Sequence, residues 1–307
     1  MDVSNDTIVV VGRPALSAAR SAVPAPVGDS GRAPEDGARD RSAGSAATVP
    51  GAPSFSCRDL LVTLTGSAGA VDILRGVDLE VGRGEFVSVL GASGSGKTTL
   101  LRVLGGLNRA SGGEVHCNGA PVDGPPAGVV TVFQDYSNSL LPWRSVRRNV
   151  ALGIEKGLSK AECAERVDQA LEMVDLTRAA GEYPYRLSGG MQQRVQIARA
   201  LAMRPSVLLM DEPFGALDAM TKASLQDQLQ QVQALTGTTV VFVTHDVEEA
   251  VYLSDRVVVL SGRPANVGLS LDVNLPRPRD QIETKETAEY LELRHQVYAA
   301  LGHGVPR

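Results

Sequence analysis

The eight residues at 91–98, GASGSGKT, constrain this chain more than any other segment. Glycines at positions 91, 94 and 96 let the backbone turn tightly, so that successive N–H groups converge on one place. A buried-strand run at 85–90 precedes the segment, and helical spacing at 98–104 follows it. Strand, glycine-rich loop and helix in this order form the context in which such a pattern binds phosphate. The segment therefore predicts a phosphate-binding loop in a parallel α/β fold.

The loop and the first residues of the following helix form the candidate nucleotide site. Lys97 is expected to reach the β and γ phosphates, and the Thr98 hydroxyl is expected to bind Mg²⁺. The predicted nucleotide-binding residues of this segment are Gly91, Ala92, Ser93, Gly94, Ser95, Gly96, Lys97, Thr98 and Thr99.

An acidic pair follows a second apolar run, VLLM at 207–210. Asp211 and Glu212 would stand just beyond the end of a buried strand, where parallel sheets bind their ligands. Asp211 is a candidate for the Mg²⁺ shell, and Glu212 is suited to polarise the attacking water as a general base. An acidic pair after a strand is common, so this prediction depends on the loop at 91–98.

A second glycine-rich helix start occurs at 187–191, LSGGM, ahead of helix-compatible residues at 195–202. Backbone N–H groups at a helix start attract anions. Ser188, Gly189 and Gly190 are therefore candidates for a second phosphate-binding edge. One chain cannot easily bring both edges to the same nucleotide.

At this point the sequence resembles the ABC ATPases. LSGGM is similar to their LSGGQ signature, with Met191 in place of the more usual glutamine. The resemblance covers residues 55 to about 265, and it implies that the signature of one subunit closes over the nucleotide held by the phosphate loop of the other. It thus implies ATP and Mg²⁺ as cofactors and a homodimer as the assembly.

Three further segments occur in the order that the resemblance requires. VFQ at 132–134 resembles the Q-loop, which implies that Gln134 contacts Mg²⁺ and water. GALD at 215–218 resembles the D-loop, whose Asp218 would communicate across the dimer interface, and His245 matches the switch histidine that would contact the γ-phosphate. Read singly, each would be an ordinary polar surface residue. The implied catalytic residues are Glu212, His245 and Gln134, and the implied Mg²⁺ ligands are Thr98, Gln134 and Asp211.

One position departs from the family. The resemblance places Leu64 where most members carry an aromatic ring that stacks on adenine. We expect aliphatic packing to replace stacking there, with weaker selectivity or affinity for the base.

Local composition and the spacing of apolar residues divide the chain into three regions. Residues 1–53 are rich in Ala, Gly, Ser and Pro and predict a disordered extension. Residues 54–265 predict the ATPase domain, with a helical subdomain at about 138–186 in which Ser159 and Glu162 form a capping box. An irregular stretch is predicted after Ser261. Residues 266–307 predict a tail that is closed by a helix at 285–301.

Short apolar runs complete the predicted architecture. Runs at 60–62 and 77–81 predict a small antiparallel sheet, and runs at 207–210, 240–243 and 257–260 predict parallel strands with crossover helices. The predicted fold class is α/β: a P-loop NTPase core with an N-terminal antiparallel β subdomain and an inserted helical subdomain.

Composition excludes several classes of protein. The chain has 30 Lys and Arg against 35 Asp and Glu, and this net charge of -5 gives no basic surface for nucleic acid. Cys57, Cys117 and Cys163 lie too far apart for a redox pair or a zinc cluster. No run approaches the roughly 18 to 20 apolar residues of a membrane span, and the start lacks signal-peptide features. The resemblance to the ABC ATPases then implies a peripheral protein at the cytoplasmic face of the cell membrane.

Three segments narrow the resemblance to one group of importers. LLPW at 140–143, SGRPA at 261–265 and LPRPRD at 275–280 resemble importers of nitrate, sulfonate and taurine. That resemblance implies a membrane-spanning permease, which would contact Tyr136 and residues 140–143, and an extracytoplasmic solute-binding protein. It does not identify the solute, and import rather than export follows from the resemblance alone.

Two other classes of protein share parts of this pattern. A non-transport ABC ATPase could act as a switch on nucleic acid or the ribosome. However, only 91 positions separate Lys97 from Ser188, too few for the coiled coil of the repair proteins, and translation factors carry two cassettes. A P-loop small-molecule kinase would leave residues 187–191 without a role. Phosphate release without a phosphorylated acceptor would distinguish an ATPase from a kinase.

Overall fold

The computed structural model describes residues 51–66, 69–135 and 139–302. The expected disordered extension at 1–53 lies almost entirely outside the described residues, as does Tyr136. In the described part of the chain, no helix is long and apolar enough to cross a membrane.

Ten strands of the described residues form a single sheet. They are β1 (Phe55–Gly66), β2 (Gly69–Val81), β3 (Phe86–Gly91), β4 (Gly112–Cys117), β5 (Ala120–Pro121), β6 (Val129–Val132), β7 (Val207–Asp211), β8 (Thr239–Val243), β9 (Arg256–Gly262) and β10 (Ala265–Asp272). Their order across the sheet is β5-β4-β1-β2-β10-β9-β3-β8-β7-β6.

The parallel half of the sheet carries the phosphate loop. β9, β3, β8, β7 and β6 pair in parallel, and every residue of β3, β7 and β8 is buried. Continuous burial explains why these strands are mostly apolar, since helices cover both faces of a parallel sheet. The parallel strands predicted at 207–210, 240–243 and 257–260 are confirmed. β3 and β7 end at Gly91 and Asp211, so the loop and the acidic pair meet at one edge.

The antiparallel half contains β5, β4, β1 and β2, which confirms the predicted N-terminal subdomain. The expectation of an irregular stretch after Ser261 is wrong, because β10 pairs antiparallel with β9 and joins β2 through Ala265 and Leu74. The sequence signal is the alternation of Ala265, Val267, Leu269 and Leu271 with polar residues or glycine. The boundary predicted at residue 265 therefore falls on the first residue of a strand that connects the two halves.

Eight α-helices cover the described residues of the sheet and form the inserted subdomain. They are α1 (Lys97–Leu104), α2 (Val146–Ala151), α3 (Lys160–Met173), α4 (Gly189–Ala202), α5 (Ala219–Thr236), α6 (Val247–Leu253), α7 (Glu283–Glu286) and α8 (Ala288–Ala300). The capping box at the start of α3 is present: Ser159 Oγ accepts the Glu162 N–H, and the Glu162 carboxylate accepts the Ser159 N–H. α2 and α3 pack against α4, as expected for a helical subdomain.

The end of the chain completes the main core. The helix predicted at 285–301 is two helices, because the Thr287 backbone is extended and its hydroxyl accepts the Tyr290 N–H to start α8. Tyr290, Leu293 and Val297 are buried in the same apolar cluster as α6. The predicted tail is thus packed on the ATPase core.

Arg279 fixes the end of α6. Its buried guanidinium donates hydrogen bonds to the carbonyl oxygens of Val251, Tyr252, Ser254 and Val273. These carbonyl groups end the helix or follow it, so they lack helical partners of their own. Burial lowers the pKa of Arg279 to about 10.

Candidate active site

A cleft of about 560 Å³ lies over the loop that follows β3. Four separate segments of the chain contribute predicted site residues to it: the loop, the Q-loop, the end of β7 and the end of β8. The lining residues are Ile73, Ser93, Gly94, Ser95, Gly96, Lys97, Thr98, Thr99, Gln134, Glu212 and His245.

Two loop positions require glycine. Gly96 has φ +85°, and an added Cβ would lie 2.8 Å from side-chain atoms of both Ile73 and Leu74. At Gly91 an added Cβ would lie 2.4 Å from Ser95 Oγ and 2.8 Å from a backbone oxygen. The loop therefore packs closely on β2 and on itself, in a glycine-rich turn of the kind whose backbone N–H groups form a phosphate cradle.

Lys97 and Ser95 place polar groups at the floor of the cleft. The Lys97 ammonium donates to the carbonyl oxygens of Gly91 at 2.8 Å and Ala92 at 3.2 Å. Burial lowers the pKa of Lys97, and the nearby carboxylates of Glu212 and Asp211 oppose that shift. Ser95 Oγ is buried without a hydrogen-bond partner. A cation and a donor hydroxyl at this position suit a polyphosphate anion.

Asp211 and Thr98 provide an oxygen pair that fits Mg²⁺. Asp211 is 2% exposed, and burial raises the pKa of its carboxyl, while a hydrogen bond with the Thr98 side chain works in the opposite direction. Within the described residues no group of three or more His, Cys, Asp or Glu side chains could hold a metal. A hydroxyl and a single carboxylate are nevertheless typical for Mg²⁺ that is also held by nucleotide phosphates.

The candidate base Glu212 occupies a strained backbone position. Its φ is +46°, which is uncommon outside glycine. Its side-chain Oε2 accepts a hydrogen bond from Gln134 Nε2 at 3.1 Å and lies 3.2 Å from His245 Nδ1. The structure thus brings the three predicted catalytic residues together around one carboxylate oxygen.

Gln193 is a site residue that sequence analysis missed. It lies in α4, is 1% exposed, and donates through Nε2 to the carbonyl oxygen of Glu212 at 3.4 Å. Its Oε1 accepts the Ala216 N–H at 3.1 Å. The only signal in the sequence is a glutamine on the buried face of the helix that begins with the signature.

The signature and D-loop residues lie outside the cleft of their own chain. Ser188 is exposed and caps α4 by accepting the Met191 N–H at 3.3 Å, and Asp218 caps α5 by accepting the Thr221 N–H at 3.0 Å. The hydrogen bonds from Thr221 lower the pKa of Asp218. None of Ser188, Gly189, Gly190 and Asp218 lines the described cleft. The predicted second phosphate-binding edge therefore lies away from the cleft of its own loop.

Leu64, the expected adenine contact, is 42% exposed and lies outside the cleft, whereas Ile73 on the paired strand lines the cleft. The pairing of β1 and β2 shifts register between Leu60 and Thr63. Aliphatic packing of Leu64 against the base stays a prediction.

Comparison with known proteins identifies the family. Residues 74–215 match the family model described as ABC transporter. The chain is 44% identical over 246 residues to the nitrate transport protein NasD of Klebsiella oxytoca, which covers 78% of this chain and 93% of NasD. It is 47% identical over 228 residues to the nitrate import ATP-binding protein NrtC of Synechococcus elongatus, which covers 73% of this chain and 34% of NrtC. The chain spans about a third of the length of NrtC.

A solved structure supports the same assignment. The dimeric, post-hydrolysis ATP-binding cassette MJ0796 bound to ADP and Pi matches with a TM-score of 0.66 and 32% identity over 72% of this chain and 99% of that one. The predicted fold class and the predicted resemblance to the nitrate group are both confirmed. The chain belongs to the ABC transporter family.

Proposed function

We propose that this chain hydrolyses ATP at a site shared between two copies of itself and so drives the import of a small solute. The observation that carries the proposal is the Glu212 carboxylate, which Gln134 and His245 both contact inside the cleft of the phosphate loop. Relatives named for nitrate and bicarbonate transport favour a small anion as the solute.

The phosphate loop and the acidic pair have different roles in binding ATP and Mg²⁺. Lys97, Ser95 and the loop N–H groups hold the phosphates, while Thr98 and Asp211, with Gln134, hold Mg²⁺. When bound, Mg²⁺ neutralises charge on the β and γ phosphates.

Glu212 is placed to activate water. Its carboxylate accepts a proton from the attacking water as the bond to the γ-phosphorus forms and the bond to the bridging oxygen breaks. Gln134 and His245 hold the same carboxylate oxygen, and the His245 side chain is 69% exposed at the cleft, within reach of a γ-phosphate. This arrangement favours hydrolysis over transfer to a second substrate.

The second half of each site comes from a second copy of the chain. Ser188, Gly189 and Gly190 start α4 with N–H groups that would meet the γ-phosphate of the partner's nucleotide. MJ0796, a related cassette, was solved as a dimer. We infer the same assembly for this chain.

The proposed complex lies at the cytoplasmic face of the cell membrane. A membrane-spanning permease would bind the helical subdomain, where Trp143 is 71% exposed, and an extracytoplasmic solute-binding protein would deliver the solute. The relatives do not favour the alternative of a switch on nucleic acid or the ribosome.

Complementation between two inactive chains tests the shared site. Ser188→Arg damages the signature and Lys97→Ala damages the loop, so each variant alone should lose hydrolysis. A mixed dimer contains one intact loop facing one intact signature, and phosphate release should return in part on mixing. Normal hydrolysis by Ser188→Arg alone would exclude the shared site, and phosphate transfer to an added acceptor would favour a kinase.

A further inference from the structure

A charged cluster lies directly beside His245. The Lys222 ammonium on α5 lies 2.7 Å from a carboxylate oxygen of Asp246 and 2.7 Å from one of Glu249, whose side chain is 7% exposed. The Thr244 hydroxyl donates to the other oxygen of Glu249 and accepts the Asp246 N–H at 3.0 Å. The residues on both sides of His245 in the chain are therefore held through one lysine.

The same lysine belongs to the first turn of the helix that follows the D-loop. The Lys222 N–H donates to the carbonyl oxygen of Asp218 at 2.9 Å, so α5 connects Asp218 to the neighbours of His245 within one turn. On the opposite side, the Thr244 N–H donates to the carbonyl oxygen of Val89 at 3.2 Å, in the strand that leads to the phosphate loop. The cluster thus lies between the start of α5 and the loop strand.

We propose that Lys222 is a positioning residue for hydrolysis, which keeps the His245 imidazole beside the Glu212 carboxylate. Lys222 acts through its ion pairs with Asp246 and Glu249. Because Lys222 lies in the first turn of α5, the position of the His245 ring depends on the position of that turn. The proposal rests on the function proposed above for the catalytic residues. The His245 ring is itself largely exposed, so its place is set by the backbone on either side rather than by packing around it.

A lysine between two carboxylates also contributes to stability, so the two effects must be separated. Arg256 offers a matched control, because its guanidinium pairs with Glu85 at 2.7 Å and both side chains are 20% exposed. This pair lies at the amino-terminal ends of β9 and β3, opposite the edge that carries the site. Removing it should disturb the fold without disturbing His245.

The experiment compares the full-length wild-type chain with Lys222→Met, Lys222→Arg and Arg256→Met. Phosphate release gives kcat and KM for ATP, TNP-ATP fluorescence gives nucleotide affinity, and thermal unfolding gives Tm. We expect Lys222→Met to lower kcat about tenfold to a hundredfold while KM and TNP-ATP affinity change by less than about twofold. Lys222→Arg should restore most of kcat, because it keeps the charge. Arg256→Met should lower Tm but leave kcat near the wild-type value.

Histidine-labelled NMR reads the environment of the ring without turnover. The chain has four histidines, and His245→Gln identifies the His245 signal by its loss. We expect Lys222→Met to shift that signal and Arg256→Met to leave it in place. If Lys222→Met does not fold, Glu249→Gln takes its place in every measurement, because it removes one charge at constant side-chain volume.

The possible outcomes are distinguishable. An unmoved His245 signal, or a wild-type kcat in folded Lys222→Met, would overturn the proposal. A loss of kcat that Arg256→Met reproduces would also overturn it, because a general loss of stability would then suffice. A wild-type chain that releases no phosphate contradicts the proposed function instead, and the His245 signal still decides the role of Lys222.

Discussion

The side-chain amide of Gln193 lies 3.4 Å from the carbonyl oxygen of Glu212, so the helix that begins with the signature holds the backbone of the candidate base. A non-glycine residue at positive φ costs about 1 to 3 kcal/mol and persists only where its surroundings impose it. Here the Glu212 N–H donates to the carbonyl oxygen of Val243 at 2.9 Å, and Gln193 holds the other end of the residue. Signature and base are therefore coupled within one chain.

Gln193→Met should weaken both stability and turnover. The change keeps the side-chain volume but leaves the Ala216 N–H without its acceptor, for which we expect a loss of about 1 to 3 kcal/mol in the free energy of unfolding. We also expect kcat to fall about tenfold, since Glu212 is no longer held in place. Thermal unfolding and phosphate release measure the two effects. Gln169→Met, which affects an amide on α3, is the control, and equal kcat values in both variants would contradict the coupling.

Glu212→Gln should retain nucleotide binding and lose hydrolysis. Lys97 and Ser95 still hold the phosphates, while the attacking water loses its base, for which the expected drop in kcat is about a hundredfold to ten-thousandfold. The variant should accumulate as an ATP-bound dimer. Gel filtration with ATP and Mg²⁺ checks this result, with ADP as the control, and turnover at the wild-type rate would remove Glu212 from its proposed role.

Arg279→Met should destabilise the fold more than Arg277→Met. Loss of the buried guanidinium leaves carbonyl groups at the end of α6 without donors, and we expect a loss of about 2 to 3 kcal/mol. Arg277 pairs with Asp255 at a partly exposed position, where a salt bridge contributes about 1 kcal/mol or less. It donates to a single carbonyl oxygen at the end of α6, that of Leu253 at 3.1 Å, so its loss should cost less. Chemical denaturation of the two variants gives the comparison. Equal losses would show that Arg279 is no more important to the fold than its neighbour.

The three thiols should react at different rates. Burial raises the pKa of Cys57 to about 12 and that of Cys117 to about 11, whereas Cys163 is partly exposed. At pH 8 a disulfide reagent should therefore modify Cys163 rapidly and the other two only after unfolding, and Cys163→Ser should abolish the rapid phase. Three equal rates in the native protein would contradict the burial.

The same two thiols predict a loss of stability in alkali. Their pKa values in the folded chain lie above the value of about 8.5 for an unfolded cysteine. The stability they contribute is fully present below pH 8.5 and is lost as the pH rises toward 11 and 12. Thermal unfolding at pH 7 to 10 should show Tm falling above about pH 9, and a smaller fall in Cys57→Ala would assign the effect.

Signals that depend on a few neighbouring residues were readable from the sequence. The glycines of the phosphate loop, the capping box of Ser159 and Glu162, and the buried parallel strands are of this kind, and the structure contains all of them. Each is decided by turn geometry or by burial within one element. Because each of these signals is local, the site residues could be predicted from the sequence before their contacts were known.

Contacts between residues of different helices and strands could not be predicted from the sequence. Gln193 and Lys222 look like surface residues in the sequence, and their roles arise from partners 19 or more positions away. The place of Ile73 in the cleft lining was likewise not predicted, because it depends on how β2 packs on the loop. β10 was missed because half of its residues are polar or glycine, which weakens the apolar signal of the strand.

Because α8 is buried in the main apolar cluster, the core of the domain cannot be completed until α8 has been synthesised. Tyr290 and Val297 fill the same apolar cluster as Phe86 and Leu90, yet the ribosome adds them after all the nucleotide-binding motifs of the chain. Until they emerge, the nascent chain carries an uncovered apolar face along α6. Such a face recruits chaperones or promotes aggregation. Translation that stops short of α8 therefore leaves a complete set of nucleotide-binding motifs on a polypeptide whose core is still open.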